Sequence, residues 1–158
     1  MKNILELLAE NSKLTTEEIA SMLDTDSTDI AKTIHDYEEH KVILGYKTIV
    51  DWEKTDRQLV QALIEIKITP QEHGFDRVSQ RISQYDEVES LFLLSGGFDL
   101  LAMVSGRTLN EVALFVAGKL APLREVTSTA THFVLHKYKD NFVLFEGDSP
   151  DQERLTIL

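Results

Sequence analysis

The sequence predicts an α+β protein, with an N-terminal winged helix-turn-helix followed by a ferredoxin-like βαββαβ domain. Two observations support this fold class. Apolar residues recur at helical spacing up to Tyr37, and from Val60 onward they alternate with polar residues, as they do in half-buried strands. The segment between these patterns, residues 51–58, is polar apart from one tryptophan and is interpreted as a linker. The predicted parts are therefore a domain over 1–50, this linker, a domain over 59–146, and a C-terminal tail over 147–158.

Three short helices are predicted in the first domain. Apolar spacing indicates the first over residues 2–11. Thr15 and Glu18 have the spacing of a capping box, in which each side chain accepts from the other's backbone amide, and they begin a second helix of about two turns. The segment Asp24-Thr25-Asp26-Ser27 is rich in turn and helix-cap residues and precedes the third. The inner face of this third helix is predicted to carry Ile30, Ala31, Ile34 and Tyr37.

Strands are predicted from residue 42 onward. Residues 42–50 combine β-branched side chains with one glycine, which favours a small hairpin or wing. The second domain is predicted to contain a strand, a helix, two strands, a helix and a strand. Their predicted positions are 60–69, around 75–82, 88–94, 98–104, 109–120 and 126–138. An additional edge strand is predicted at 141–145. Two helices cover one face of such a sheet, so the other face is expected to meet a partner subunit.

Composition narrows the class of protein. The chain has 158 residues, no cysteine and no run of the roughly 18 apolar residues that a membrane span requires. We therefore expect a cytoplasmic protein with no membrane partner, disulfide or thiolate metal site. The net charge is −11, and residues 1–50 hold five lysines against ten acids. This acidity opposes nucleic-acid binding, because lysine and arginine supply most non-specific affinity for phosphates.

The solvent face of the third helix is nevertheless the expected DNA contact, because that helix of a helix-turn-helix lies in the major groove. Threonine and lysine side chains can contact base edges or phosphate, whereas Asp29 and Asp36 would repel phosphate. A different interpretation stays open, in which the acidic winged helix contacts protein rather than DNA. The candidate DNA-binding residues are Thr28, Asp29, Lys32 and Thr33 on the helix and Lys47 in the wing.

The order and spacing of several short motifs, over about residues 2–140, resemble the Lrp/AsnC family of transcription regulators. The N-terminal motifs are Ile4-x2-Leu7-Leu8, Leu14-Thr15-x2-Glu18-Ile19-Ala20 and Ile30-x3-Ile34-x2-Tyr37-Glu38-Glu39-x2-Val42-Ile43-x-Gly45-Tyr46. The C-terminal motifs, which are similar to the family's Gly-x-x-Asp turn and last strand, are Ser95-Gly96-Gly97-Phe98-Asp99-Leu100-Leu101 and Val126-x2-Thr129-x-Thr131-x-x-Val134.

The sequence departs from the family pattern at two places. Lys32-Thr33 stands where the family usually has a basic pair, which puts DNA affinity in question. Lys41 stands where the family often has glycine. A glycine there relieves a left-handed helix end, so we expect Lys41 to form a strained or altered helix cap.

The resemblance implies a sequence-specific DNA-binding regulator. It would bind double-stranded DNA, dimerise through its C-terminal sheets, and often assemble further into tetramers or octamers. An amino acid or related effector would bind at interfaces near the Gly-x-x-Asp turn. Glycine backbone can approach a carboxylate closely, and Asp99 can receive an ammonium group. The candidate effector-binding residues are Gly96, Gly97, Phe98, Asp99, Thr127, Ser128, Thr129 and Thr131.

Two alternatives to this interpretation remain. The Gly-Gly-x-Asp turn and the threonines are also ordinary residues of hairpins and strands. The second alternative is a ligand-sensing or protein-interaction module that retains the acidic winged helix and does not bind DNA. An enzyme, a metal site and a cofactor are not expected, because no phosphate loop or metalloprotease motif occurs. The histidines do not suggest a metal site. His132 and His136 are about 13 Å apart if they share a strand, which is too far for two ligands of one metal. His35 and His40 point in different directions, and His73 lies in a predicted loop.

Overall fold

The computed structural model of the chain describes residues 3–69 and 75–145, so the predicted tail and His73 lie outside the described residues. The chain divides into two compact units, Met1–Ile49 and Val50–Leu158.

The first unit contains α1 (Ile4–Glu10), α2 (Thr16–Leu23) and α3 (Ser27–Glu39). The predicted capping box of α2 is confirmed: the amide of Glu18 donates to Thr15 Oγ1 over 3.2 Å, and the amide of Thr15 donates to Glu18 Oε2 over 2.8 Å. Asp26 caps α3 by accepting from the amide of Thr28. Polar side chains therefore fix where both helices of the helix-turn-helix begin.

The three helices enclose a small apolar core. Ile34 and Tyr37 are half-buried on the inner side of α3, as predicted, but the prediction that Ala31 also faces inward is wrong, because it is exposed. Ala31 lies about 100° around the helix from Ile30, outside the stripe that Ile30, Ile34 and Tyr37 form. The buried core residues are Leu7, Leu8, Ile19, Ala20 and Ile30.

The predicted wing is also wrong, because residues 44–50 form no strand in the described part of the chain. After α3, Lys41 adopts a left-handed conformation with a φ of 58°, which confirms the strained helix cap. The amides of Val42 and Ile43 then both donate to the carbonyl of Tyr37. These bonds hold the chain against the helix end as far as Ile43, so too little chain remains before Gly45 for the first arm of a hairpin.

The second unit contains the predicted βαββαβ order. Its four strands form one antiparallel sheet in the order β2-β3-β1-β4, with β1 hydrogen-bonded to both β3 and β4. A 3₁₀ turn, Trp52–Lys54, precedes the sheet, and a π-helical segment, Val116–Leu120, extends the second helix. The elements are β1 (Val60–Ile68), α4 (Asp76–Ser83), β2 (Val88–Leu93), β3 (Leu100–Gly106), α5 (Leu109–Phe115) and β4 (Val126–Phe133).

The chain after β4 differs from the prediction. The last strand of the sheet ends at Phe133 instead of continuing to 138, and the predicted edge strand at 141–145 does not join the sheet. Instead, β5 (Lys139–Asp140) and β6 (Val143–Leu144) pair with each other. Asn141 and Phe142 both have positive φ angles, 44° and 67°, so they reverse the chain within two residues.

Alternate residues of the central strand β1 face opposite sides of the sheet. Ala62, Ile64 and Ile66 are fully buried against the helices. The other side, which we call the open face, is covered by no helix among the described residues of this unit. It carries Gln61, Leu63, Glu65 and Lys67 of β1, Ser90 and Phe92 of β2, Leu101, Met103 and Ser105 of β3, and Ser128, Ala130 and His132 of β4.

A bulge ends the regular pairing of β1, where its register with β4 shifts between Lys67 and Ile68. Asp99 closes the gap on the β3 side, because its Oδ2 accepts from the amide of Ile68 over 2.8 Å. On the β4 side, Thr127 Oγ1 donates to the carbonyl of Lys67 over 3.1 Å. Side chains thus satisfy backbone groups that an uninterrupted ladder would have paired.

We expect Asp99→Ala to lower the free energy of unfolding by about 1–3 kcal/mol, because it leaves the partly buried amide of Ile68 without an acceptor. Asp99→Asn keeps an oxygen at the same place, so we expect a much smaller loss. Urea unfolding followed by circular dichroism measures both values. Equal destabilisation by the two variants would show that the hydrogen bond does not set the stability.

An ion pair connects the second helix to the start of β2. Lys119 Nζ lies 2.5 Å from Glu87 Oε1 and also sits over the rings of Tyr85 and Phe115. The hydrogen bond from Lys119 lowers the pKa of Glu87 from its usual value, against the opposing effect of desolvation. Because the pKa is lower in the folded state, the pair stabilises the fold above the usual carboxyl pKa. That contribution is lost as the pH falls through the lowered value.

We expect Lys119→Met to reduce stability at pH 7 by at most about 1 kcal/mol, since the pair is partly exposed and methionine retains much of the aliphatic packing. The difference from the unchanged chain should shrink as the pH falls below the usual carboxyl range. Unfolding measured by urea at several pH values tests this, and a difference that is constant with pH would contradict the assignment to Glu87.

Candidate functional site

The outer face of α3 presents most of the predicted DNA-binding residues to solvent. Thr28, Asp29 and Lys32 are exposed, and Lys47 is exposed in the extended segment after the helix. Thr33 is half-buried, and its hydroxyl donates to the carbonyl of Asp29 over 2.8 Å. Four of the five candidates therefore have accessible side chains, whereas the Thr33 hydroxyl proton is used within the helix.

Acidic groups dominate the first turn of α3, the part of a recognition helix that contacts base edges. Asp26 accepts hydrogen bonds from Thr28, which lower its pKa and keep it ionised. Asp24 precedes it at the end of α2, and Asp29 follows inside the helix. Lys32 is the one lysine or arginine in α3. This end of the helix is thus negatively charged, and the expected attraction to phosphate is weak.

The Gly-x-x-Asp segment forms the connection between β2 and β3. The amide of Leu94 donates to the carbonyl of Asp99 over 2.8 Å and closes the loop. A Cβ atom built on Gly96 or Gly97 meets no described atom within 4 Å. In the described part of the chain, the amides of Gly96 and Gly97 donate to no backbone carbonyl. The loop therefore has open space and available donors, which a carboxylate can use.

The hydroxyl residues of β4 do not gather on one face. Ser128 pairs with Lys67 on the open face, whereas Thr129 pairs with Ile66 and Thr131 with Ile64 on the side of the helices. The hydroxyl of Thr127 already donates within the bulge. The four predicted hydroxyl residues of β4 therefore do not all face one ligand position within a single chain.

The glycine loop and the start of β4 lie at the same end of the sheet, because Ile66 pairs with Leu100 on one side and with Thr129 on the other. The strand β1 lies between them, which separates β3 from β4 by about 10 Å, twice the ordinary strand spacing. Asp99 uses one carboxylate oxygen for the amide of Ile68. Within one chain, the candidate effector residues thus form two groups rather than one cluster.

The second unit also contains a concave site that was not predicted from the sequence, which we call the tryptophan pocket. It has a volume of about 110 Å³. Its residues come from the 3₁₀ turn, the following linker, the start of β1, the chain after β4, and the end of the β5–β6 hairpin. The only sequence signal for it was a lone tryptophan in the otherwise polar linker. The lining residues are Val50, Asp51, Trp52, Glu53, Arg57, Leu59, Gln61, Val134, His136, Lys137 and Phe145.

Two histidines of this unit lie beside carboxylates at exposed positions. His132 Nε2 is 3.3 Å from Glu65 Oε1, and His136 Nδ1 is 3.5 Å from Glu53 Oε2. Among residues 3–69 and 75–145, no group of three histidines or carboxylates could hold a metal ion. None of the helices in these ranges has the length and apolarity that crossing a membrane requires.

Comparison with known proteins identifies the family. The Lrp/AsnC ligand binding domain matches residues 61–144. An uncharacterized HTH-type transcriptional regulator of Bacillus subtilis, YugG, is 42% identical, with 98% of this chain and 93% of that protein covered. The HTH-type transcriptional regulator LrpA of Pyrococcus horikoshii is 25% identical, with 87% and 96% covered.

Solved structures agree with these matches. A transcriptional regulator of Neisseria meningitidis in complex with L-Met is 25% identical over 87% of this chain and 88% of that one, with a TM-score of 0.67. AsnC of E. coli, at 20% identity, has the same fold, with a TM-score of 0.65 over 85% of this chain and 89% of that one. The curated relatives are named as transcriptional regulators, not as enzymes. The chain therefore belongs to the Lrp/AsnC family of transcriptional regulators.

Proposed function

We propose that this protein is a homo-oligomeric transcription regulator that binds double-stranded DNA through α3 and responds to a small amino-acid effector. The observation that carries the proposal is the capped helix-turn-helix, in which α3 presents Thr28, Lys32 and other polar side chains to solvent. Its HTH-type relatives support this assignment. A regulator of transcription acts where the chromosome is, so we place the protein in the cytoplasm.

The charges on α3 favour one further possibility. Asp24, Asp26 and Asp29 line the helix start, and such a surface also suits a basic protein partner. The second candidate function is therefore a ligand-sensing module that contacts protein through this unit. The two functions differ in how lysine and aspartate substitutions change binding to DNA.

If α3 binds DNA, Lys32→Ala and Lys47→Ala should each weaken binding and reduce the slope of log affinity against log salt by about 1. Asp29→Asn should act in the opposite direction and strengthen binding by up to about fivefold, because removing a nearby like charge is worth about 1 kcal/mol in water. Fluorescence anisotropy with a labelled fragment of the chain's own promoter region, over a range of salt concentrations, gives these values.

Lys139→Ala is the matched control for the lysine variants, because Lys139 is exposed in the β5–β6 hairpin and should not alter DNA binding. If the unchanged protein shows no specific binding at either low or physiological salt, the DNA function is wrong. The protein-contact function is then the one that remains.

We propose that the effector binds at the loop between β2 and β3, with its carboxylate on the amides of Gly96 and Gly97. The open space around both glycines supports this position. The complex of the Neisseria regulator with L-Met supports an amino acid as the ligand class. The ammonium group would then lie near Asp99. In this proposal, Phe98 and the β4 residues Thr127, Ser128, Thr129 and Thr131 contribute secondary contacts, some of them from a second subunit.

An effector that binds the folded state should raise the melting temperature, and a screen of the amino acids by thermal shift will identify it. Gly97→Phe should abolish the shift without unfolding the protein, since no described atom lies within 4 Å of the added Cβ. Asp99→Asn should weaken the shift while keeping the bond to Ile68. An unchanged shift in Gly97→Phe would place the effector elsewhere.

We also propose that the open face forms the homodimer interface. It exposes Phe92, and Leu63, Leu101 and Met103 are only half-buried there. Glu65 and Lys67 lie on the same face, so a twofold contact can pair opposite charges around an apolar centre. Further assembly into tetramers or octamers belongs to the same proposal.

A further inference from the structure

The tryptophan pocket contains charged side chains of both signs, and most of them already have partners. Glu53 pairs with His136 over 3.5 Å, and Asp51 pairs with Lys54 over 3.5 Å. Lys137 pairs with Asp140 over 3.1 Å. Each acidic group that lines the pocket therefore has a basic side chain beside it.

Arg57 is the exception among these charges. Its guanidinium carbon lies 4.5 Å from the centre of the Trp52 ring, a cation–π distance. No carboxylate of residues 3–69 or 75–145 lies within salt-bridge distance of it. The contact with Trp52 restrains the guanidinium, and among the described residues its N–H groups donate no hydrogen bond. The pocket thus offers a positioned positive charge with free donors, and a guanidinium binds a carboxylate through two parallel hydrogen bonds.

Apolar side chains line the rest of the pocket. Leu59, Val134 and Phe145 are half-buried there, and the Trp52 ring contributes an aromatic surface. A volume of about 110 Å³ is enough for several water molecules or for one small organic molecule. Five of the eleven lining residues are apolar and six are polar or charged, so the pocket combines apolar surface with polar groups, as small-ligand sites do.

We propose that the tryptophan pocket is a second ligand site, which binds a small carboxylate with an aliphatic body. The carboxylate lies on the Arg57 guanidinium, and the aliphatic part lies against Leu59 and Val134. The site belongs to the second unit alone and shares no residue with the glycine loop. It therefore does not depend on the effector position or on the DNA binding proposed above.

The single tryptophan of the chain is Trp52, so its fluorescence reports on this pocket directly. We expect isovalerate, added to the full chain at constant ionic strength, to change Trp52 emission in a saturable way. Isovaleramide, which has the same shape without the charge, should give no saturable change. L-Valine provides a third probe, in which an ammonium group is added to the same carbon skeleton.

Arg57→Gln should weaken isovalerate binding at least about tenfold, because it removes a charge-assisted hydrogen-bond donor pair. Arg57→Lys keeps the positive charge but lacks the two parallel N–H donors of the guanidinium, so its affinity for isovalerate should be intermediate. Arg77→Gln, at an exposed position of α4, is the matched control and should bind as the unchanged protein does. Circular dichroism confirms that each variant is folded.

Three results would overturn the proposal: no saturable response to isovalerate, an equal response to isovaleramide, or unchanged binding by Arg57→Gln. Gly97→Phe separates this site from the glycine loop. The Trp52 response should persist in that variant, and its loss would assign the ligand to the loop instead. Failure of the amino-acid effector screen leaves the Trp52 titration unaffected, so the two proposals fail independently.

Discussion

The pairing register of β1 is the constraint on which the second unit depends. This strand is hydrogen-bonded on both sides, and its alternate residues, such as Ile64 and Glu65, belong to the buried core and to the open face. A slip of one residue would exchange these two sets and place glutamate and lysine in the core. Asp99 fixes the register where β1 departs from regular pairing, because its carboxylate binds the amide of Ile68. The aspartate of the glycine loop is therefore part of the sheet as well as of the proposed effector site.

The elements that could be predicted from the sequence are those that local patterns determine. Capping residues such as Thr15 and Asp26 mark helix starts, and the alternation in β1 follows from burial of one face. The wing and the extended last strand were predicted wrongly, because strand formation needs a partner that a single segment does not reveal. At 42–50 the bonds to Tyr37 leave no room for a hairpin, and after Phe133 the turn at Asn141 pairs the chain with itself.

The candidate sites also differ in whether the local sequence or only the tertiary structure reveals them. The loop at Gly97 and the outer face of α3 are each continuous in sequence, so motif spacing is enough to propose them as candidate sites. The tryptophan pocket joins Trp52 and Arg57 to residues 134–145, and only the tertiary structure shows that these segments meet. The hydroxyl residues of β4 illustrate a third case. They are close in sequence, but the alternation of strand side chains puts Ser128 and Thr129 on opposite faces.

The acidity of the first unit has a consequence for how the proposed regulator would work. With one lysine in α3 and aspartates at its start, each copy makes few favourable phosphate contacts. In the proposed oligomer, affinity would then come from several copies binding linked sites together, where the second contact benefits from a high effective concentration. A ligand that changes the assembly would therefore change DNA occupancy strongly, because it would change how many copies bind the DNA together. In a more basic protein the same ligand would have less effect, since each copy would already bind. On this proposal, weak DNA binding by the single copy is a condition for effector control.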